Sequence, residues 1–478
     1  MSAFDNSANG VPTLAERSYQ GIRDAARSDY YQNDVAQRHH FRSRLSQSYP
    51  IHSDRESDVT SALTLPDGSA PLASSWPQSA PGADPLPGQL DRWLAARGAE
   101  LVAIRRHIHA NPELSGQEFE TAALLARELA VAGLNPQLLP KGNGVICDIG
   151  HGDDVIALRA DIDALPLPDT KDVPYRSTVP NVCHACGHDV HATIMLGVGL
   201  ALAHLNERGD LPGRVRLLFQ PSEEKFPSGA PEVINAGGLK DVRAIFALHC
   251  APQIPTGLIG VRSGPITAAA DVMSVRLAGR GGHTARPHLT TDLVYALGKV
   301  ITDVPAMLDR RIDTRAGVSL TWGAAHAGQA PNAIPISGEV SGTVRALSRD
   351  AWRELPDLVP QVVRDVVAGT GAEVEVTYTR GVPPVINDRA CAAITAGAAG
   401  AVLGGDRIVE AEISMGGEDF AYYLEHVPGA MIRLGTGIAG AAPMDIHQSS
   451  FDIDERSIGY GVRVMVHTAL AAISTGAF

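Results

Sequence analysis

The feature that most constrains this chain is a series of short, largely apolar runs, each ending at a chemically loaded turn. Val155-Ile156-Ala157-Leu158 leads into Arg159-Ala160-Asp161-Ile162-Asp163-Ala164-Leu165-Pro166. Val215–Phe219 leads into Gln220-Pro221-Ser222-Glu223-Glu224, and Ala244–Leu248 into His249-Cys250-Ala251-Pro252. Between them lie helix-period patterns: Leu90, Trp93, Leu94, Leu101 and Ile104; Gln117 to Ala132; and Met195, Leu196, Val198, Leu200 and Leu202 after His191. Short apolar runs bounded by turn formers read as buried strands, and the longer 3.6-residue periodicity reads as helices. Their alternation predicts an α/β fold with an open sheet, whose functional groups gather at the carboxyl ends of the strands.

A second pattern interrupts the first. Strands are expected near Val272–Leu277, Gly317–Trp322, Ser337–Val344 and Glu373–Tyr378, with helices near Thr291–Leu308 and Arg349–Ala368. That βαββαβ order is the split-βαβ, or ferredoxin-like, arrangement. The expected organisation is an N-terminal extension and Pro-rich linker over 1–88, a catalytic domain over 89–267, an inserted domain over 268–380, and the rest of the catalytic domain over 381–478, closing on a helix from Glu455 to Ile473. Residues 11–48 are polar and at most a loose helix. Residues 65–88 hold Pro66, Pro71, Pro77, Pro81, Pro85 and Pro87 and bury too little apolar surface to offset their ordering entropy.

Composition narrows the function. A net charge of −13 opposes nucleic-acid binding, which needs a cationic surface. No apolar run has the length of a membrane span, and the first residues lack the pattern of a secretory signal, so the cytoplasm is the expected location. The 5 cysteines in 478 residues do not make a disulfide framework.

The densest chemistry is Cys183-His184-Ala185-Cys186-Gly187-His188-Asp189-Val190-His191. The Cys-x-x-Cys spacing also fits a redox pair, and four Cys/His donors also fit a closed structural zinc site. Imidazoles and a carboxylate beside the thiols, with Glu223-Glu224 downstream, favour an open metal site with water and a base. Neighbouring residues in extended backbone point to opposite sides, so one glutamate can hold a metal while the other reaches water. Asp161 and Asp163 can each orient a ligand histidine. His249 and His447 sit on turns after apolar sequence and are, by residue type alone, as compatible with surface histidines as with ligands. His283, in Gly281–His288, reads as a turn imidazole or as a contributor to a site completed by another subunit. Gly435-Thr436-Gly437-Ile438-Ala439-Gly440 matches a dinucleotide fingerprint weakly, because Pro443 interrupts the helix that should follow.

These residues resemble the M20 metallopeptidase family, in its branch of aminoacylases, hippurate hydrolases and auxin-conjugate hydrolases. The likeness is carried by Arg106–Leu114, Leu158–Pro166, His184–His191, Phe219–Glu224, Ala247–Pro252, Gly281–His288, Pro331–Pro335 and Met415–Phe420, in order along the chain. The resemblance implies two divalent ions (Zn, Mn, Co or Ni) held by Cys186, His188, Glu224, His249 and His447, with Cys186 bridging. It implies Glu223 as general base, Asp163 supporting the ligands, and His283 with Asn332 reaching a partner subunit's site in a homodimer or higher oligomer. The implied reaction is hydrolysis of N-acyl amino acids or similar amide conjugates; a dipeptidase or carboxypeptidase of the same family, or a non-catalytic binding protein, are the alternatives. Cys183 and Ser222 stand where relatives commonly carry methionine and alanine, and Cys183 is expected to add oxidation sensitivity.

Overall fold

A computed structural model of the protein describes residues 85–442 and 444–475. The polar segment 11–48 and most of the proline-rich stretch lie outside the described residues. The end of that stretch is not a linker, because the helix Pro85–Ala110 already begins there. Proline fits a first helical turn, whose N–H groups have no partner within the helix.

The larger sheet has 8 strands. In spatial order they are Gln137–Leu138, Val145–Gly150, Arg214–Gln220, Val155–Asp161, Val242–Pro255, Gly429–Gly437, Ile259–Val261 and Ile408–Glu410. The four strands from Arg214–Gln220 to Gly429–Gly437 in that order run parallel, so their carboxyl ends share one edge. Every residue of Val155–Asp161 is buried, as expected for a strand covered on both faces. One face packs on the helices Pro85–Ala110, His188–Glu207 and Arg456–Thr475. The other packs on Ala230–Asn235 and the 3₁₀ segment Asp419–Glu425.

The smaller sheet has 4 antiparallel strands, in the order Ser319–Ala327, Ser337–Ala346, Ala269–Ala278, Glu373–Val382. The helices Leu293–Arg311 and Arg349–Val367 cover one face. This is the split-βαβ arrangement read from the sequence. Val275 pairs with Val340 on one side and Val376 on the other, placing an apolar row under the helices. Entry to and exit from this unit are tied side by side, since Gly264–Pro265 pairs with Ile386–Asn387. Among the described residues no helix is long and apolar enough to cross a membrane.

Candidate metal centre

The shared carboxyl edge of the parallel strands gathers the chemistry. Cys186 and His188 flank Gly187, which precedes the helix His188–Glu207 with φ of 90°. A Cβ there would stand 2.9 Å from Cys250 Sγ, so only glycine permits this turn to press on the His249 strand. His249 is not on a turn as expected. The strand Val242–Pro255 runs 14 residues and carries it buried within its length. His447 does lie on a turn, at φ 62°, with its N–H donating to Ala185 O at 2.7 Å. That conformation is costly for a non-glycine residue.

All the expected donors meet. Cys186 Sγ lies 3.5 Å from His249 Nε2, His447 Nε2 lies 3.0 Å from Glu224 Oε1, and His188 Nε2 lies 3.9 Å from the same oxygen. Cys186 belongs to two donor groups, one with His188 and His249 and one with Glu224 and His447, each spanning at most 4.8 Å. A third group joins His188 to Glu223 and Glu224.

Hydrogen bonds set the imidazoles for ligation. His188 Nδ1 faces Asp163, 3.0 Å from its carbonyl and 3.2 Å from Oδ1, which leaves Nε2 free. That Nε2 is buried with no hydrogen-bond partner among the described residues, a costly state that a cation would relieve. His249 Nδ1 lies 2.8 Å from Cys250 O, so its Nε2 faces Cys186. Burial and Arg433 hold His249 well below the usual imidazole range, so it is neutral and able to coordinate. Asp163 also accepts from Ser115 Oγ at 2.7 Å and from the Glu224 N–H at 3.0 Å. Against the cost of burial, the His188 contacts and these bonds keep its carboxyl below the ordinary value. Burial, with Glu224 and Glu223 beside it, raises the Cys186 thiol well above its usual value. A divalent cation reverses that preference, because it stabilises thiolate directly. The donor set thus fits divalent metal.

His191, in the same motif, is excluded as a ligand. Its Nδ1 lies 2.5 Å from Asp161 Oδ1 and its Nε2 accepts from the Cys250 N–H at 2.8 Å, so both nitrogens are used. Cys183 is fully buried, and burial pushes its thiol up to about 11, so the expected oxidation sensitivity is disfavoured. Gly435 and Gly437 have a packing explanation instead of a phosphate-binding one: added Cβ atoms would lie 2.2 Å from Pro255 O and 2.7 Å from Pro252 O.

Glu223 stands beside the donors and forms no ion pair with a cationic side chain among the described residues. Burial first, then Glu418, Glu224 and Asp419, push its carboxyl well above the usual range. Glu418 and Asp419 are held by Arg159, at 3.1 and 2.6 Å, and Arg159 also grips Asp161 at 2.6 Å. Burial raises Asp419 to about 7 against the pull of Arg159. Apart from Asp161, this buried charge network behind the base was not expected from the sequence, although Arg159 at the end of an apolar run was a visible signal.

A cavity of about 470 Å³ opens over the donors, walled by Cys186, Glu223, His249 and His447 on one side and by Arg345 and Arg380 of the smaller unit on the other. His283 and Asn332 do not line it. His283 is exposed on a ribbon pairing Gly282–His283 with Ala333–Ile334, and the Asn332 carbonyl accepts from the Thr284 N–H at 3.2 Å.

Comparison with known proteins agrees with this geometry. The pattern of peptidase family M20/M25/M40 matches residues 157–471. A Bacillus subtilis (strain 168) N-acetylcysteine deacetylase is 35% identical over 378 residues, covering 78% of this chain and 97% of that protein. The crystal structure of Bacillus subtilis YXEP, described as a dinuclear metal binding peptidase from the M20 family, superposes with a TM-score of 0.70 at 33% identity, covering 80% of this chain and 99% of that one. A Rhodococcus jostii (strain RHA1) protein that carries a glutamate–cysteine ligase 2-3 name is 47% identical over 368 residues, 77% of this chain. This chain spans only 46% of that protein's length. Fold, donors and relatives together define a metal-dependent amidohydrolase. The chain belongs to peptidase family M20/M25/M40.

Proposed function

We propose that the protein hydrolyses N-acyl amino acids or similar amide conjugates, releasing a carboxylic acid and a free amino acid. The observation that carries this reading is the meeting of Cys186, His188, Glu224, His249 and His447 with Glu223 beside them, in no ion pair among the described residues. The relative that acts on N-acetylcysteine supports the substrate class. Two divalent ions per subunit are proposed, which Cys186, His188, Glu224, His249 and His447 would hold, Cys186 belonging to both donor groups. Such ions would supply Lewis-acid polarisation of a carbonyl and a lowered pKa for water.

The chain's own residues do the rest. Glu223 takes the proton of the attacking water as its oxygen adds to the amide carbon, then delivers it to the departing nitrogen. A base raised by burial and neighbouring carboxylates suits both halves of that task. Asp163 fixes the ring of His188, and Cys250 O fixes that of His249.

The active form is proposed to be a homodimer. His283 and Asn332 lie off their own chain's cavity, and the segments that flank their ribbon expose Leu289, Val294, Tyr295 and Ile336. His283 would enter the partner's site, where it stabilises the oxyanion, and Asn332 would bind substrate beside it. We assign residues 89–267 and 381–478 to catalysis and 268–380 to the inserted dimerisation unit. A cytoplasmic location is proposed from cysteines 147, 183, 186, 250 and 391, all buried and free, as a reducing compartment permits.

The test is a panel of N-acetyl and N-benzoyl amino acids against free dipeptides, with chelated enzyme reloaded with Mn, Zn, Co or Ni. Chelator-sensitive release of amino acid from the acylated substrates supports the reading. Turnover of dipeptides alone turns it into a dipeptidase, and no metal-dependent turnover refutes it.

A further inference from the structure

Arg433 breaks the pattern of its strand. Gly429–Gly437 is otherwise small or apolar but for Thr436, and Arg433 stands at its midpoint. Arg433 and His249 are Cα partners on adjacent parallel strands. Paired residues of neighbouring strands project to the same face of a sheet. The guanidinium therefore leaves the sheet on the side of the metal donors, and it lines the cavity with Cys186, Glu223 and His249.

What sets it apart is its lack of commitments. The other two guanidiniums of the cavity wall are tied to the fold. Arg345 donates to Met415 O at 2.9 Å, and Arg380 donates to Trp352 O and Arg353 O while stacking 4.1 Å over the Trp352 ring. Arg433 has no hydrogen-bond or ion-pair partner among the described residues; its charge feels Glu418 and Cys186 only at longer range. Glu418 is itself engaged by Arg159 at 3.1 Å. A partly buried guanidinium pays a desolvation cost, and native structures seldom leave one unpaired unless a ligand completes it. Its planar fork matches a carboxylate in two-point contact.

We infer that Arg433 is a specificity-determining residue that binds a carboxylate of the substrate next to the metal centre. The inference rests on the amidohydrolase reading and deepens it: the preferred substrates are anionic amides, not amides at large. The carboxylate is either the α-carboxylate of the amino acid or a second acid on the side chain or acyl group. Lys225, Arg345 and Arg380 also line the cavity, so with Arg433 four cationic side chains stand there against Glu223, Glu224 and Glu418 in a chain of net charge −13, a local balance that favours anions.

The experiment uses metal-loaded enzyme and two matched pairs. N-acetyl-L-methionine against N-acetyl-L-methioninamide probes the α-carboxylate, and N-acetyl-L-glutamate against N-acetyl-L-glutamine probes a second acid. For each pair the ratio of kcat/KM, charged over neutral, is measured in wild type, Arg433→Met and Arg433→Lys. In at least one pair, the wild-type preference for the charged member should fall about 10–100-fold in Arg433→Met, the size of a charge-assisted two-point contact. Arg433→Lys should keep part of it, since a point charge replaces the fork. The pair that responds identifies which carboxylate is read. An unchanged ratio in both pairs, an equal loss on charged and neutral members, or a wild-type preference for the neutral members overturns the inference. Metal content and melting temperature are measured on both variants; if Arg433→Met loses metal, Arg433→Lys decides by the same ratios. Failure of wild type to cleave any of the four compounds instead overturns the amidohydrolase reading itself.

Discussion

The two sheets of this protein solve opposite problems. The larger one buries charge. Arg159, Asp161, Asp163, His188 and Asp419 are all at most 1% exposed, and each is held by other polar groups at the carboxyl edge of the parallel strands. The smaller one buries almost none. Its strand Ala269–Ala278 alternates buried and accessible positions along its length, with valine, leucine and methionine facing the helices. Its one deeply buried acid, Asp271, accepts from Trp352 Nε1, Tyr378 OH and the Gly381 N–H at 3.0, 2.7 and 2.9 Å. Polar groups in the first sheet are preorganised for chemistry at the expense of packing, whereas Asp271 in the second is fully satisfied and serves only to fasten a strand, a helix and a turn. The lesson is that substitutions in the two regions should separate turnover from stability.

The sharpest break of that contrast is Glu223→Ala. It should keep its metal by elemental analysis yet lose about 10²–10⁴ in kcat, the usual reach of a general base. Cys186→Ser should instead lower metal occupancy, together with activity, because serine is a far weaker ligand than thiolate. Full occupancy in that variant would remove the bridging role. His283→Ala should lose about 10²–10³ in kcat, as removal of an oxyanion donor does. Mixing His283→Ala with Glu223→Ala should restore activity well above either parent, since a hybrid of the proposed dimer would hold one intact site. No recovery on mixing would return His283 to its own chain.

The stability side predicts smaller effects. Asp271→Ala should cost about 1–3 kcal/mol in denaturant unfolding by leaving buried donors unpaired, with metal content unchanged. The smallest effect concerns Asp169, which accepts from the N–H groups of Lys171 and Ser177 and contacts His109. Burial opposes its charge, but His109, Ser177 and Lys171 outweigh burial and hold its carboxyl well below the ordinary value. A depressed folded-state pKa adds stability above the unfolded value of about 4, which is lost as pH falls below it. Asp169→Asn should therefore be less stable by about 1–2 kcal/mol at neutral pH, and the gap should narrow on acidification below about pH 4. A gap that stays constant with pH would mean that charge plays no part.

Strands and helices were legible wherever one periodicity ruled a segment, as in Val155–Asp161 or the βαββαβ unit. The donors were legible because cysteine, histidine and glutamate cluster after such strands. Less legible was what depends on contacts between remote segments. His249 was expected on a turn because Pro252 follows it, yet the strand continues to Pro255, where Gly437 pairs with it. His191 looks like a ligand in its motif until Asp161 and the Cys250 N–H occupy its ring. Arg433 passed unnoticed inside Gly429–Gly437 because only its pairing with His249, across a long stretch of intervening sequence, turns it toward the site.

The turn at His447 has one more consequence. Cys186, His188 and His249 are almost wholly inaccessible, whereas the His447 side chain is 48% exposed and rests on a left-handed backbone that nothing local favours. An ion held by His447 together with Cys186 and Glu224 would fasten the turn around residue 447 to the rest of the fold. Metal binding should therefore protect that turn from local opening, as any ligand of the closed form does.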